Sequence, residues 1–520
     1  MELLLDYLKK DCETTLNNIA SLTSHGEITY DLLYALLLPG TVFITQCQLT
    51  GAPLAGRLVS SGHFFPRYPG TQPAWPGYEV GLEYINATHI DDDTTSSIGK
   101  SPNVIIITPF PGQVKITSLR AYPLHFHPDE DGMRRRLIMR GRKWAELAGI
   151  QHVQYIGPAV LRTKDEKAIW YSVDSRVMVD LKNFKRLNST YKFSEIIVNM
   201  VDRKCLRLSS LPFNQGDTDP GVGRIYITDE DALLAPTIVH GFSLSDKIWL
   251  EFNVEHIHPI QWSDGAFSTL VLPTSTKSLL QSLVEAHNAD LGSGDFLKGK
   301  GHGLVINLFG PPGVGKTSSA KAASEHIRRP LVVADGRNLG TTASELDEEL
   351  LKLFDLATAW KVVVLIDEAD VFLQQRNLRD LQHDAMVAVF LRHIEYYRGI
   401  LFLTTSRVET FDDAFLSRIH ITLRFKELTK EAKMQAWRNF PEKAGVEITP
   451  DLDVPKVGLS QAQLGKLADR KINARQIKNA TRTAKSLAFS RGQPLGFVHL
   501  METLDAMEEE APAARSMEDV

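Results

Sequence analysis

Cysteine is scarce in this chain. Only three occur in 520 residues, and they lie far apart, at Cys12, Cys47 and Cys205. Disulfide-stapled folds and cysteine-based zinc sites need closely spaced pairs. The sequence therefore predicts neither, and its cysteine usage fits a reducing compartment.

No charge of one sign dominates either. The 58 lysines and arginines nearly balance the 63 aspartates and glutamates, and the formal net charge is -5. An overall attraction to nucleic acid or to anionic lipid needs a basic excess or patch. The basic residues between Arg134 and Lys143 fit either a solvated helix face or a local nucleic-acid patch, and the first is the commoner case. We therefore expect no nucleic-acid partner.

Long apolar runs are missing as well. The most apolar early stretch, residues 32–44, is interrupted by Pro39 and Gly40, and it is shorter than the ~20 residues that cross a bilayer. Three acidic residues occur among the first eleven, where a secretory or mitochondrial presequence would be basic or apolar. We expect no membrane span, no cleavable signal and an intracellular, cytoplasmic location.

The length implies several domains, because one ordinary domain holds ~100–200 residues. Residues 31–215 mix short β-rich runs with Pro/Gly turns, which is typical of an α+β domain. Residues 216–300 contain a helix and a glycine-rich run, which favours a connecting region. The predicted segments are an N-terminal helix (1–30), the β-rich domain (31–215), the connecting region (216–300), an α/β domain (301–426), a helical domain (427–505) and an acidic tail (506–520).

Apolar strands alternate with amphipathic helices in the α/β domain. Such alternation predicts a parallel sheet covered on both faces. The five predicted strands are residues 304–309, 331–334, 362–366, 400–404 and 419–425.

A phosphate-binding loop follows the first of these strands. The strand LVINLF runs into GPPGVGKTSS, which matches the pattern G-x-x-x-x-G-K-[ST]. Glycines let such a loop curl so that its backbone N–H groups point at phosphates, while Lys316 neutralises the β and γ oxygens of ATP and Thr317 ligates Mg²⁺. A plain glycine-rich turn is the alternative, and the flanking strand and helix argue against it. The predicted binding residues are Gly310, Pro311, Pro312, Gly313, Val314, Gly315, Lys316, Thr317 and Ser318.

Two carboxylates end the third predicted strand, VVVLIDEAD. The C-terminal ends of parallel strands are where open α/β sheets bind ligands. We expect Asp367 to hold Mg²⁺ together with Thr317, and Glu368 to activate the attacking water. Asp370 is an alternative base, but its position beyond the strand favours a role in capping the next turn.

The motifs GPPGVGKT, LIDEAD, TTSR and SRIH stand in the order found in AAA ATPases, and the chain resembles that family. The resemblance implies a P-loop module with a five-stranded parallel sheet and a helical lid, in which Lys316 and Glu368 are catalytic. Ser406 would lie beside the nucleophilic water, where the family usually has asparagine. Arg418 resembles an arginine finger that reaches a neighbouring subunit, which implies a homo-oligomer; a surface salt bridge is the alternative. Arg475 resembles a sensor 2 residue facing the phosphates.

A longer resemblance, to a group of fungal AAA ATPases with a β-rich N-terminal domain, covers most of the chain, through segments such as TSLRAYPLHFHPD and FLRHIEYYRGILFLTT. It implies a Mg²⁺-dependent ATPase that remodels an unknown protein client. Family members that thread polypeptide carry an aromatic residue after the second strand, whereas DGRNLGTTASELDEELLKLF has none before Phe354. A slow nucleotide-gated scaffold is therefore the alternative, and a nucleic-acid motor is favoured only by Arg475 and the basic helix.

Overall fold

The computed structural model describes residues 2–64, 77–89, 96–165, 167–193, 227–268, 270–292, 303–373, 381–406, 413–446, 448–449 and 459–509. The chain divides into two compact units, Met1–Ile260 and Gln261–Val520. Most of the predicted acidic tail and most of the glycine-rich run before residue 303 lie outside the described residues. Among the helices that are described, none is long and apolar enough to cross a bilayer.

The N-terminal unit opens with two helices, α1 (Glu2–Asp11) and α2 (Glu13–Ser24), where one was predicted, and α2 buries none of its residues. An antiparallel sheet follows, with spatial order β5-β4-β3-β2-β7, and β1 pairs separately with β6. The strands are β1 (Glu27–Thr29), β2 (Val42–Gln46), β3 (Pro53–Phe64), β4 (Gly77–His89), β5 (Ser96–Ile107), β6 (Gln113–Lys115) and β7 (Ala121–Pro123). Short 3-10 helices span Tyr30–Ala35, Ile116–Ser118 and Leu124–Phe126.

A second antiparallel sheet completes this unit, with the order β11-β10-β9-β8-β12 and an additional pairing of β11 with β8, so that β8 to β11 close into a ring. Its strands are β8 (Gln151–Arg162), β9 (Ala168–Val179), β10 (Ile238–Ser243), β11 (Ile248–Asn253) and β12 (Ile257–His258). The helices are α3 (Glu130–Glu146), α4 (Leu181–Leu187), α5 (Asp229–Leu233) and a 3-10 turn, Val254–His256. A β-rich N-terminal region is therefore present.

The first compact unit ends at Ile260, later in the chain than residue 215, the predicted end of the β-rich domain. The predicted connecting region, 216–300, contains β10, β11 and β12, which pair with β8 and β9 in the second sheet. In β10 the buried alternate residues are Val239, Gly241 and Ser243, and only the first of these is a recognisable core residue. Hydrophobic alternation is thus hidden in this strand, because glycine and serine occupy its inward positions.

Helix α3 supports the ring of strands. The Asp129 side chain accepts a hydrogen bond from the N–H of Gly132 and caps the helix. The buried residues of α3 include Leu137, Gly141, Trp144 and Ala145. Gly141 permits the contact with α5, since a Cβ at this position would lie 1.9 Å from the carbonyl oxygen of Ala232.

The C-terminal unit contains the predicted five-stranded parallel sheet, with spatial order β14-β15-β16-β13-β17. Its strands are β13 (Leu304–Phe309), β14 (Leu331–Asp335), β15 (Val363–Asp367), β16 (Ile400–Thr405) and β17 (Ile421–Arg424). Helices before and between the strands are α6 (Thr274–Gly292), α7 (Lys316–His326), α8 (Ala343–Trp360), α9 (Asp370–Leu373), α10 (Leu381–Tyr396) and α11 (Asp413–Leu416), with a 3-10 turn at Gly336–Asn338. β13 and β16 are buried along their whole length, as expected for strands covered on both faces.

Helices dominate the described chain after the sheet. They are α12 (Lys430–Lys443), α13 (Gln461–Ala468), α14 (Ala474–Ser490) and α15 (Phe497–Glu509), with a two-stranded parallel sheet of β18 (Ile448–Thr449) and β19 (Leu459–Ser460). They share a separate core in which Trp437, Leu464, Ile477 and Leu500 are almost completely buried. We call α12 to α15 the lid helices.

Two helical glycines give a matched test of this packing. We expect Gly141→Ala to lower the free energy of unfolding by about 1–3 kcal/mol, because its methyl group has no space against α5. Gly465, in α13, has open space within 4 Å of the point where a Cβ would lie, so Gly465→Ala should be neutral or should stabilise by up to about 1 kcal/mol. Chemical denaturation followed by circular dichroism measures both, and equal effects would contradict the assigned packing of α3 on α5.

Candidate functional site

One cavity of ≈ 400 Å³ lies in the C-terminal unit, where the loop after β13, the ends of β15 and β16, and two lid helices meet. It is lined by Pro312, Gly313, Gly315, Lys316, Thr317, Ser318, Arg337, Asp367, Glu368, Asp370, Thr404, Thr405, Ser406, Phe440, Ala474, Arg475 and Lys478. The structure therefore brings most of the predicted site residues together.

The loop between β13 and α7 has the backbone that a phosphate loop needs. Gly315 has φ 103° and forms the N-cap of α7, a left-handed conformation that favours glycine. Gly313 has φ 79°, and a Cβ there would lie 2.6 Å from the Asn473 side chain. Val314 turns away from the cavity into the hydrophobic core, so it anchors the loop and its side chain does not face the site.

Lys316 lies over the loop. Its Nζ donates hydrogen bonds to the carbonyl oxygens of Gly310 and Pro311, the latter at 2.9 Å. Partial burial lowers the pKa of Lys316, and the carboxylates of Asp370 and Asp367 oppose that shift. The ammonium is therefore held among oxygens at the start of a helix, where anions bind.

Thr317 and Asp367 form an oxygen cluster suited to a hard cation. The Thr317 hydroxyl lies 3.2 Å from each carboxylate oxygen of Asp367. Mg²⁺ prefers such oxygen ligands and usually keeps several waters. The pair fits the predicted magnesium role.

Thr404 contacts both Asp367 and Glu368, and the sequence did not single it out. Its buried hydroxyl donates to Asp367 and accepts the backbone N–H of Glu368 at 3.0 Å. Thr404 thus sets where β15 ends relative to β16. The sequence could have indicated Thr404 as a site residue through its position near the end of a predicted parallel strand.

Glu368 has an unusual backbone and an unexpected partner. Its φ is 55°, in the region that non-glycine residues seldom adopt. One carboxylate oxygen lies 2.5 Å from Nη2 of Arg337, which lies in the 3-10 turn after β14. Both side chains are at least half exposed, so solvent screens the pair strongly. The candidate base is therefore held at the cavity by a contact that water can replace.

Asp370 is the first residue of α9, and its side chain faces the end of β16. Its carboxylate accepts hydrogen bonds from the Thr405 hydroxyl at 2.5 Å, the Ser406 N–H at 2.9 Å and the Ser406 hydroxyl at 3.1 Å. Both of its oxygens are engaged at the end of β16, which argues against Asp370 as the base. Ser406 is thereby tied to the start of α9, just after the end of β15.

The lid helices contribute one side of the cavity. Asn473 caps α14 with a reciprocal Gln476 bond, and the Arg475 N–H donates to the Gly313 carbonyl at 3.3 Å. Arg475 lines the cavity, and so do Lys478, one turn later, and Phe440 on α12. Sequence reasoning missed the last two, although Lys478 shares a helix face with Arg475 by its spacing.

Arg418 does not line the cavity. Its guanidinium lies 2.7 Å from a carboxylate oxygen of Glu395 on α10, and it donates to the Ala414 carbonyl at 2.8 Å. Within one chain it therefore makes the salt bridge that was the alternative to an arginine finger. An arginine finger acts on the cavity of a neighbouring subunit, so it too would lie outside the cavity of its own chain.

Residues 306–427 match the family model described as ATPase family associated with various cellular activities (AAA). These residues are similar to an AAA domain. Residues 18–128 match a second model, a domain of unknown function, DUF7025.

Curated relatives resemble only part of the chain. It is 31% identical over 178 residues to human ATPase family AAA domain-containing protein 3B, which covers 32% of this chain and 27% of that protein. The corresponding protein 3 of Caenorhabditis elegans is 31% identical over 134 residues, 24% of this chain and 22% of that protein. The alignments thus span less than a third of these relatives.

A solved structure, the FIGL-1 AAA domain in complex with ADP, overlaps 50% of this chain and 92% of that chain, with 16% identity and a TM-score of 0.36. An overlap this loose adds nothing to the AAA family match.

Thr404 offers a test of how the C-terminal unit positions Asp367 and Glu368. Thr404→Val removes the hydroxyl at nearly constant shape and leaves the Glu368 N–H without its partner. We expect the free energy of unfolding to fall by about 1–3 kcal/mol, measured by chemical denaturation. Thr422→Val, on the exposed side of β17, is the control and should change it by less than about 0.5 kcal/mol. Equal effects would show that Thr404 does not organise the site.

Proposed function

We propose that this chain binds ATP with Mg²⁺ in its AAA domain, hydrolyses it to ADP and phosphate as a homo-oligomer, and remodels a protein client bound by the N-terminal unit. One observation carries the proposal: Lys316, the Thr317 and Asp367 oxygen pair, and Glu368 line a single cavity. These are the groups that phosphoryl transfer to water needs.

The geometry supports a role for each group. Lys316 and the loop N–H groups would bind the β- and γ-phosphates, and Thr317 and Asp367 would hold Mg²⁺, which neutralises phosphate charge when bound. The water oxygen bonds to the γ-phosphorus, the bond from phosphorus to the β–γ bridging oxygen breaks, and a water proton passes to Glu368. Arg475 is assigned to the phosphates from the lid, and Ser406 to the attacking water.

A slow nucleotide-gated scaffold is the second candidate. It is favoured by the contact between Arg337 and Glu368, which engages the base, and by serine in place of the family's asparagine at position 406. A scaffold would bind ATP tightly and turn it over slowly, so comparing ATP affinity with turnover separates the two functions.

The finer assignments are proposals that rest on the sequence. We assign client binding to the N-terminal unit, of which residues 18–128 match DUF7025, and we retain the resemblance to the fungal group. The balanced charge supports a protein client over nucleic acid, and the few cysteines support an intracellular, cytoplasmic location.

The phosphate site is tested by two lysines of one helix. Lys316→Ala should abolish Mg²⁺-dependent phosphate release, because it removes the charge that neutralises the β and γ oxygens. Lys321→Ala, at an exposed position of α7, should keep the parent's rate. Phosphate release and ATP titration measure both, and parent-like binding and turnover in Lys316→Ala would overturn the assigned site.

The oligomeric mechanism is tested through both partners of one ion pair. A finger supplied by another subunit is worth ~10³–10⁵ in rate, so Arg418→Ala should bind ATP normally and hydrolyse it slowly. Glu395→Ala breaks the same pair from the other side and should retain activity. Phosphate release per subunit should also fall as the protein is diluted.

Mixing gives the sharper result. Arg418→Ala protein keeps Glu368, and Glu368→Gln protein keeps Arg418, so a mixed oligomer contains some complete interfaces. We expect the mixture to exceed both separate proteins in turnover. If Glu395→Ala and Arg418→Ala lose activity equally and mixing restores none, Arg418 is a structural residue.

A further inference from the structure

Asp370 and Ser406 make a contact that the assigned roles leave unused. Three donors from the end of β16 converge on one carboxylate: the hydroxyl groups of Thr405 and Ser406 and the Ser406 N–H. Asp370 and Ser406 both line the cavity that also holds Glu368. The carboxylate is therefore placed to control how Ser406 meets a molecule in the cavity.

Hydrogen-bond chemistry fixes the direction of this contact. An ionised carboxylate only accepts, whereas a serine hydroxyl has one hydrogen to donate and two lone pairs that accept. With that hydrogen directed to Asp370, the Ser406 oxygen offers only its lone pairs to the cavity. The asparagine usual at this position in the family would offer both donors and an acceptor.

An acceptor-only oxygen discriminates between the groups around a γ-phosphate. Phosphate oxygens are themselves acceptors, so they form no hydrogen bond with an acceptor-only Ser406 oxygen. A water molecule can donate a hydrogen bond to that oxygen. A water that donates one hydrogen to Ser406 and the other to Glu368 keeps a lone pair for the phosphorus. Orientation of this kind lowers the barrier without adding charge.

We infer that Asp370 is a positioning residue for hydrolysis: it fixes the Ser406 hydroxyl as an acceptor, so that Ser406 and Glu368 together orient the attacking water. This inference rests on the proposed ATP hydrolysis. Because Asp370 acts through Ser406, its loss should slow the chemical step and spare nucleotide binding.

The charge of Asp370 separates this role from a structural one. Phosphates would enter a cavity lined by Lys316, Arg337, Arg475 and Lys478, and Asp370 opposes that positive charge. Neutralising Asp370 should leave ATP affinity unchanged or raise it. A damaged site would instead lose affinity and turnover together.

The experiment compares kcat, KM for ATP and ADP affinity for Asp370→Asn, Ser406→Ala and the double variant, with Ser406→Thr as the variant that keeps a hydroxyl. Asp370→Asn should lower kcat roughly tenfold to a hundredfold with KM unchanged or lower. Ser406→Ala should match it, the double variant should be no slower than either single one, and Ser406→Thr should keep most of the activity. Asp384→Asn, on α10 and outside the cavity lining, is the control.

Provided that the parent is active and Lys316→Ala is inactive, any one of three results would overturn the inference. They are an Asp370→Asn protein as fast as the parent, a double variant whose decrease in kcat is the product of the two single decreases, and a loss of ADP affinity in Asp370→Asn. A parent that hydrolyses no ATP would instead overturn the proposed function itself.

Discussion

The site depends on the parallel register of three strands. Phe309 of β13 lies beside Thr405 of β16, and Ile366 of β15 lies beside Leu403. The loop after β13, the two carboxylates and Ser406 therefore leave the sheet at one edge, as ligand sites in open α/β sheets do. The hydroxyl of Thr404 then ties the ends of two strands together. Without this register, these residues, which are far apart in the sequence, would not lie close together in space.

The sequence predicted those parts of the structure that are determined by residues close together in the chain. The five strands and the glycine loop were readable because each depends on neighbours within a few residues. The contacts of Arg337 with Glu368 and of Asp370 with Ser406 were not, because each joins the ends of different strands. The motif also did not show which way each side chain points. It included Val314 among the binding residues, but the fold buries the Val314 side chain in the core.

The N-terminal unit was harder for the same physical reason. Strands β10 and β11 close a ring with β8 and β9, so their partners lie dozens of residues away. Their inward positions include glycine, which carries no hydrophobic signal. The buried residues of α3, in contrast, recur at helical spacing, which is a local pattern.

The contact between Gly313 and Asn473 has a mechanical consequence. Asn473 is the N-cap of α14, and its side chain fills the space that a Cβ on Gly313 would need. The 17 residues of α14 extend ~25 Å from that point. The start of α14 therefore lies against the phosphate loop, and Phe489, near its far end, is 87% exposed. A tilt of α14 by about 10° about the contact with Gly313 would displace the far end by about 4 Å on that length.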